Sequence, residues 1–122
     1  MKHYITALVL AGGLAAAQAN AACNYPAAPG KFPDGNSATK EEMLAAKSQV
    51  VKYNGDMETY LTCLQGEFDA KVAADTTSTP EQKADQQKMH EQKYNAAVQE
   101  LQGVADRFNE QLRIFKARDK QN

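Results

Sequence analysis

The stretch from Thr39 to about Ala74 constrains this chain more than any other. It reads TKEEMLAAKSQVVKYNGDMETYLTCLQGEFDAKVAA, without a proline and with an apolar residue every three or four positions. Met43, Ala46, Val50, Tyr53, Met57, Tyr60 and Leu64 therefore fall along one side of a single helix, the spacing of a buried stripe. Leu44, Val51, Leu61 and Phe68 widen that face to one side. Thr39 followed by Glu42 forms a capping box, and Glu41 and Glu42 suit the positive end of the helix dipole. A methionine and tyrosine stripe of this kind is read as core.

A second helix follows almost at once. Thr79 at the N-cap, Pro80 at the first helical position and Gln82 at the third are a strong start signal. The helix is predicted to run from 79 to about Arg118, where Arg113, Lys116 and Arg118 meet its negative end. Its apolar stripe is Tyr94, Ala97 or Val98, Leu101, Val104, Phe108, Leu112 and Phe115. Between Glu81 and Lys93 the only large apolar residue is Met89. Two long helices with a short connection lie antiparallel, so this polar start faces the end of the first helix around Leu64 to Val72. The hairpin is expected to be well packed at its open end and wet near its turn.

Upstream, Cys23 to Ser37 reads CNYPAAPGKFPDGNS, with three prolines and two glycines that exclude a helix and favour an extended backbone. A turn is predicted at Pro33, Asp34 and Gly35: proline presets φ, aspartate bonds its own backbone, and glycine accepts positive φ. Tyr25, Phe32 and Cys23 let residues 22–38 dock as a strap. Cys63 is the only other cysteine, and two cysteines in a short exported chain read as one disulfide. From Thr39 back to Cys23 an extended strap spans up to about 50 Å, and Thr39 to Cys63 is about 36 Å of helix. The strap therefore reaches Cys63 if it turns and runs back along the helix. Gly55, Thr59, Thr62 and Gly66 are expected to let its backbone approach.

Export is read from residues 1–21, where Lys2, an apolar run from Ile5 to Ala17 and small residues at Ala17, Ala19 and Ala21 form a Sec-type signal peptide. The run is too short for a membrane span. Lipidation of Cys23 would leave Cys63 an odd thiol, and Asn20 is a poor match to the apolar position of a lipoprotein box. A periplasmic or secreted location is expected. Fourteen basic against 15 acidic residues, with Lys2 lost on cleavage, give no electrostatic case for nucleic acid or an anionic membrane.

No enzyme is expected. Cys63 is assigned to a disulfide, Ser37, Ser48 and Ser78 have no histidine near them in a hairpin, and there is no phosphate loop. His90 is the sole histidine left after cleavage and the one weak candidate for a metal ligand, with Glu67 or Asp69 across the hairpin. A lone histidine on a polar face is read as solvated. Met57 or Met43 with His90 as haem ligands fails on distance, about 10 Å along the axis for Met57. Neither a cofactor nor a metal is expected.

The pattern Cys23, Pro26, Pro29, Phe32-Pro33-Asp34-Gly35, Glu41-Glu42-Met43 and Tyr60-Leu61-x-Cys63-Leu64 resembles that of small exported helical proteins of Gram-negative bacteria. The resemblance spans residues 23–64, and it implies the compartment and a strapped helix without bringing an activity. The expected fold is all-α: a long antiparallel two-helix hairpin over 39–122 with an extended, proline-rich strap held by one disulfide. The expected role is a structural or protein-interaction module of the envelope, with an unknown envelope protein or a second copy as partner. The alternative is a carrier of a small ligand, metal or haem inside a dimeric four-helix bundle.

Overall fold

The computed structural model describes residues 22–121, and the leader assigned to residues 1–21 lies outside them. Two helices make up the regular structure among the described residues: α1, Lys40–Ala74, and α2, Pro80–Asp119. Each starts at a complete capping box. Thr39 Oγ1 accepts from Glu42 N–H while the Glu42 carboxylate accepts from Thr39 N–H at 2.7 Å. Thr79 and Gln82 repeat the arrangement with Pro80 just inside. Each box satisfies two backbone donors that the helix leaves without partners.

The reversal between the helices is organised by Asp75. Its carboxylate accepts from the N–H groups of Ser78 and Thr77 at 2.9 and 3.2 Å, and from the Gln86 side chain at 3.2 Å. Hydrogen bonding from Ser78, by its hydroxyl foremost and then its N–H, with Thr77 and Gln86 adding to it, holds the Asp75 carboxyl well below the usual carboxylate range.

Packing of α2 against α1 buries Met43, Ala46, Val50, Tyr53, Met57 and Leu64 on one side and Ala97, Val104, Phe108 and Phe115 on the other. Met57 and Val104 are sealed completely, at 0 % exposure. Truncating Met57 to alanine would cost about 2–5 kcal/mol in transfer and cavity energy. Tyr60 and Leu101 are only partly buried and pack against the edge of this core. Tyr94 departs from its expected place in the stripe, being 38 % exposed. Ala97 lies at the interface instead, and that rotation of α2 carries Tyr94 to its flank.

The strap is seated as expected, running antiparallel to α1 from the Cys23–Cys63 disulfide to Ala38. Tyr25 packs edge-on against Tyr60 at 4.9 Å and Phe32 against Phe108 at 5.6 Å, so the strap contacts both helices. Its lower end is fixed twice by α2. Gly35 N–H donates to Gln111 Oε1 at 2.9 Å, and the Arg118 guanidinium donates to the Ala38 carbonyl at 2.8 Å while lying over the Phe115 ring.

Three details of the strap differ from expectation. The reversal falls later than Phe32–Gly35: the Asp34 carbonyl accepts from Ser37 and Ala38 N–H, and Asp34 Oδ1 from Asn36 N–H. Gly35 has no positive φ. A Cβ there would collide with the Gln111 carbonyl oxygen and lie 2.8 Å from both Ile114 Cβ and Phe115 N. Glycine is needed for close approach to α2 and not for a left-handed turn. Conversely, a Cβ at Gly55 or Gly66 would meet nothing within 4 Å, so the strap does not use them.

Under the strap, the Tyr53 hydroxyl is buried without a hydrogen-bond partner. Tyr25 and Tyr53 influence each other's ionisation, yet no hydrogen bond of normal geometry joins their hydroxyls. Burial foremost, then the neighbouring Tyr25 and the Glu100 charge, push the Tyr53 hydroxyl up to about 12.

Candidate functional site: the groove at the turn end

Cys23 lies at the end of the described strap, and beyond it no described strap residue covers the two helices. Here α1 offers Leu64, Glu67, Phe68 and Lys71, and α2 offers Gln86, Met89, His90 and Lys93. They line an open groove of about 130 Å³. It forms because the facing part of α2 is polar, so its side chains do not fill the space that Leu or Phe would fill closer to the open end.

His90 is buried at this point, at 9 % exposure, and not solvated as its polar neighbours suggested. Its ring stacks on Phe68, with centroids 4.2 Å apart and planes 14° from parallel. A flat aromatic surface on α1 thus replaces the water that the lone histidine was expected to face. His90 Nε2 lies 3.1 Å from Gln65 Oε1. The Gln65 amide nitrogen donates to Asp69 Oδ1 at 2.8 Å, which turns its oxygen towards the histidine. Nε2 is therefore the donor, and Nδ1 is the acceptor nitrogen when the ring is neutral. Asp69, the other acid considered beside His90, acts on it through Gln65.

Apolar surface gathers around this stack. Met89 is 56 % exposed and Val72 50 % exposed, and Tyr94 stands on the far side with Leu61, Gln65 and Asp69. Lys71 and Lys93 border the groove, and Glu67 forms its edge towards the strap. Glu67 Oε1 accepts from Cys23 N–H at 3.2 Å. The sulfurs of Cys23 and Cys63 and the Glu67 carboxylate lie within 4.8 Å of one another.

The residues singled out from sequence thus separate into three places. Cys23 and Cys63 meet at the clasp, Pro33, Asp34 and Gly35 lie at the opposite end of the strap, and His90 lies in the groove beyond the clasp. Gln65 and the stacking role of Phe68 were not found by sequence reasoning. The four-residue spacing of Cys63 and Glu67 was the available signal for the acid at the clasp, since it places both on one helical face. The geometry provides a recess with a flat aromatic floor, bordered by Lys71 and Lys93 and, towards the strap, by Glu67; among the described residues it holds no nucleophile paired with a base. No helix among the described residues is long and apolar enough to cross a membrane. No protein-family model, curated protein or solved structure matches this chain.

Proposed function

We propose that this chain is an exported, non-catalytic interaction module of the cell envelope, and that the turn-end groove receives a segment of an envelope protein. The observation that carries the reading is the pair of exposed apolar side chains Met89 and Val72 flanking the half-buried Phe68 beside the buried His90, beyond the end of the described strap. Large side chains left half in water at one place mark a contact surface. Lys71 and Lys93 favour a partner segment that carries an apolar anchor flanked by acidic residues. Export rests on the leader over residues 1–21, and the Cys23–Cys63 disulfide is compatible with an oxidising compartment.

A photo-crosslinking residue placed at Met89 in the native host tests this. The expected result is a discrete adduct with one envelope protein, absent when the crosslinker sits at Lys47 and lost when Phe68→Glu is added. No adduct from Met89, or the same adducts from Lys47, would refute the groove as the contact. A carrier inside a dimeric bundle would instead yield the chain with itself as the adduct and a bound small molecule in non-denaturing mass spectrometry.

A further inference from the structure

The clasp that joins the strap to α1 has the makings of a second kind of site. We propose that, once its disulfide is reduced, Cys23, Cys63 and Glu67 bind a single thiophilic divalent cation such as Zn²⁺, which re-closes the strap in place of the disulfide. This inference is independent of the groove's role in binding a partner.

Three observations carry it. The first is proximity: both sulfurs and the Glu67 carboxylate lie within 4.8 Å of one another, with Cys63 and Glu67 one helical turn apart on α1. Two thiolates and a carboxylate are ligands that zinc accepts, with a fourth position left for water.

The second is that the carboxylate is already aimed. Glu67 Oε1 accepts the Cys23 N–H at 3.2 Å, so the carboxylate is held at the clasp beside both sulfurs. The third is that the strap's other anchors do not depend on the disulfide. Tyr25 on Tyr60, Phe32 on Phe108, Gly35 on Gln111 and Arg118 on Ala38 keep Cys23 close to Cys63 after the sulfur–sulfur bond opens. A pair of thiols held in this way loses little freedom on chelation.

Both cysteines are partly exposed, so thiol–disulfide exchange can reach them. The chemistry balances in two steps. A dithiol reductant gives two electrons and two protons to the Cys23–Cys63 bond and becomes a disulfide itself. The cation then displaces the two thiol protons, forming two metal–sulfur bonds and one metal–oxygen bond. The oxidised and metal-bound forms exclude each other, because the same sulfur electron pairs serve both.

The test is Zn²⁺ titration against a chromophoric chelator, using the signal-free chain reduced with a phosphine in the absence of oxygen. The reduced protein is expected to bind one equivalent, the oxidised protein none, and bound Zn²⁺ should raise the melting temperature of the reduced form. Glu67→Gln leaves both cysteines and the disulfide in place. It should weaken binding by at least the roughly tenfold typical of losing even an outer-shell partner. Binding by the reduced chain no tighter than that of a Cys23→Ser/Cys63→Ser variant overturns the proposal. Unchanged affinity in Glu67→Gln overturns the three-ligand site as well.

Discussion

Replacing Gly35 by alanine tests how the strap is seated with one methyl group. Gly35 has no positive φ, so alanine can adopt its backbone conformation, and in open space the change would stabilise by about 0.4–1 kcal/mol through the unfolded chain. The structure reverses that sign. The new Cβ would overlap the Gln111 carbonyl oxygen and sit 2.8 Å from Phe115 N, both backbone atoms of α2 that cannot swing aside. Forcing an extra carbon into such a contact costs about 1–3 kcal/mol. Lifting the strap to relieve it gives up the Gly35–Gln111 hydrogen bond, worth about 1 kcal/mol. Either way the clash outweighs the gain through the unfolded chain, and the expected net loss is about 1–2 kcal/mol, at roughly 4–8 °C of melting temperature per kcal/mol for a domain of this size. The controls are Gly55→Ala and Gly66→Ala, where nothing lies within 4 Å. Each should stabilise by about 0.5–1 kcal/mol through helix propensity alone. Urea unfolding followed by far-ultraviolet circular dichroism reads all three. A Gly35→Ala protein as stable as the parent would refute the seating of the strap against α2.

Reducing the disulfide in metal-free buffer opens a loop whose ends are 40 positions apart, which the chain-entropy model values at about 4 kcal/mol. The melting temperature should fall while the helical signal at low temperature persists. Tyr53 is neutral in the fold and its folded-state pKa is raised from 10.0 to about 12, so its contribution is complete below pH 10 and lost as pH rises towards 12. Tyr53→Phe removes a buried hydroxyl without a partner. It should be neutral or stabilising by about 1 kcal/mol, and should blunt the alkaline loss of stability in a pH series of melts. Asp75 has the opposite sign: its native pKa is depressed, so its contribution is present above the ordinary carboxylate range and lost as acid titrates it below that range. In Asp75→Asn the acid limb of the same pH series should flatten. Amide exchange should be fast over Glu81 to Lys88 and slow over Val50 to Met57 and Leu101 to Phe108, because buried apolar contacts concentrate in the latter. Equal protection along both helices would contradict that distribution.

Much of this architecture was legible in the sequence because it is decided over short distances or by simple exclusion. A capping box involves residues three apart, so Thr39 with Glu42 and Thr79 with Gln82 could be recognised without knowing what either helix packs against. The 3.6-residue period placed Met43, Val50, Tyr53 and Met57 on one buried face, and with only two cysteines there was one disulfide to form. Tertiary structure decided whatever depends on the rotation and separation of α2. That rotation brings Ala97 inward and Tyr94 outward, although both belong to the same apolar stripe. It brings Phe68 over His90 and converts a histidine amid polar neighbours into a buried one. It also places α2 backbone atoms against Gly35 and none against Gly55 or Gly66, so identical residues have opposite structural meaning. Local propensity reaches only a few residues along the chain, whereas these outcomes turn on atoms some 20 to 80 positions away.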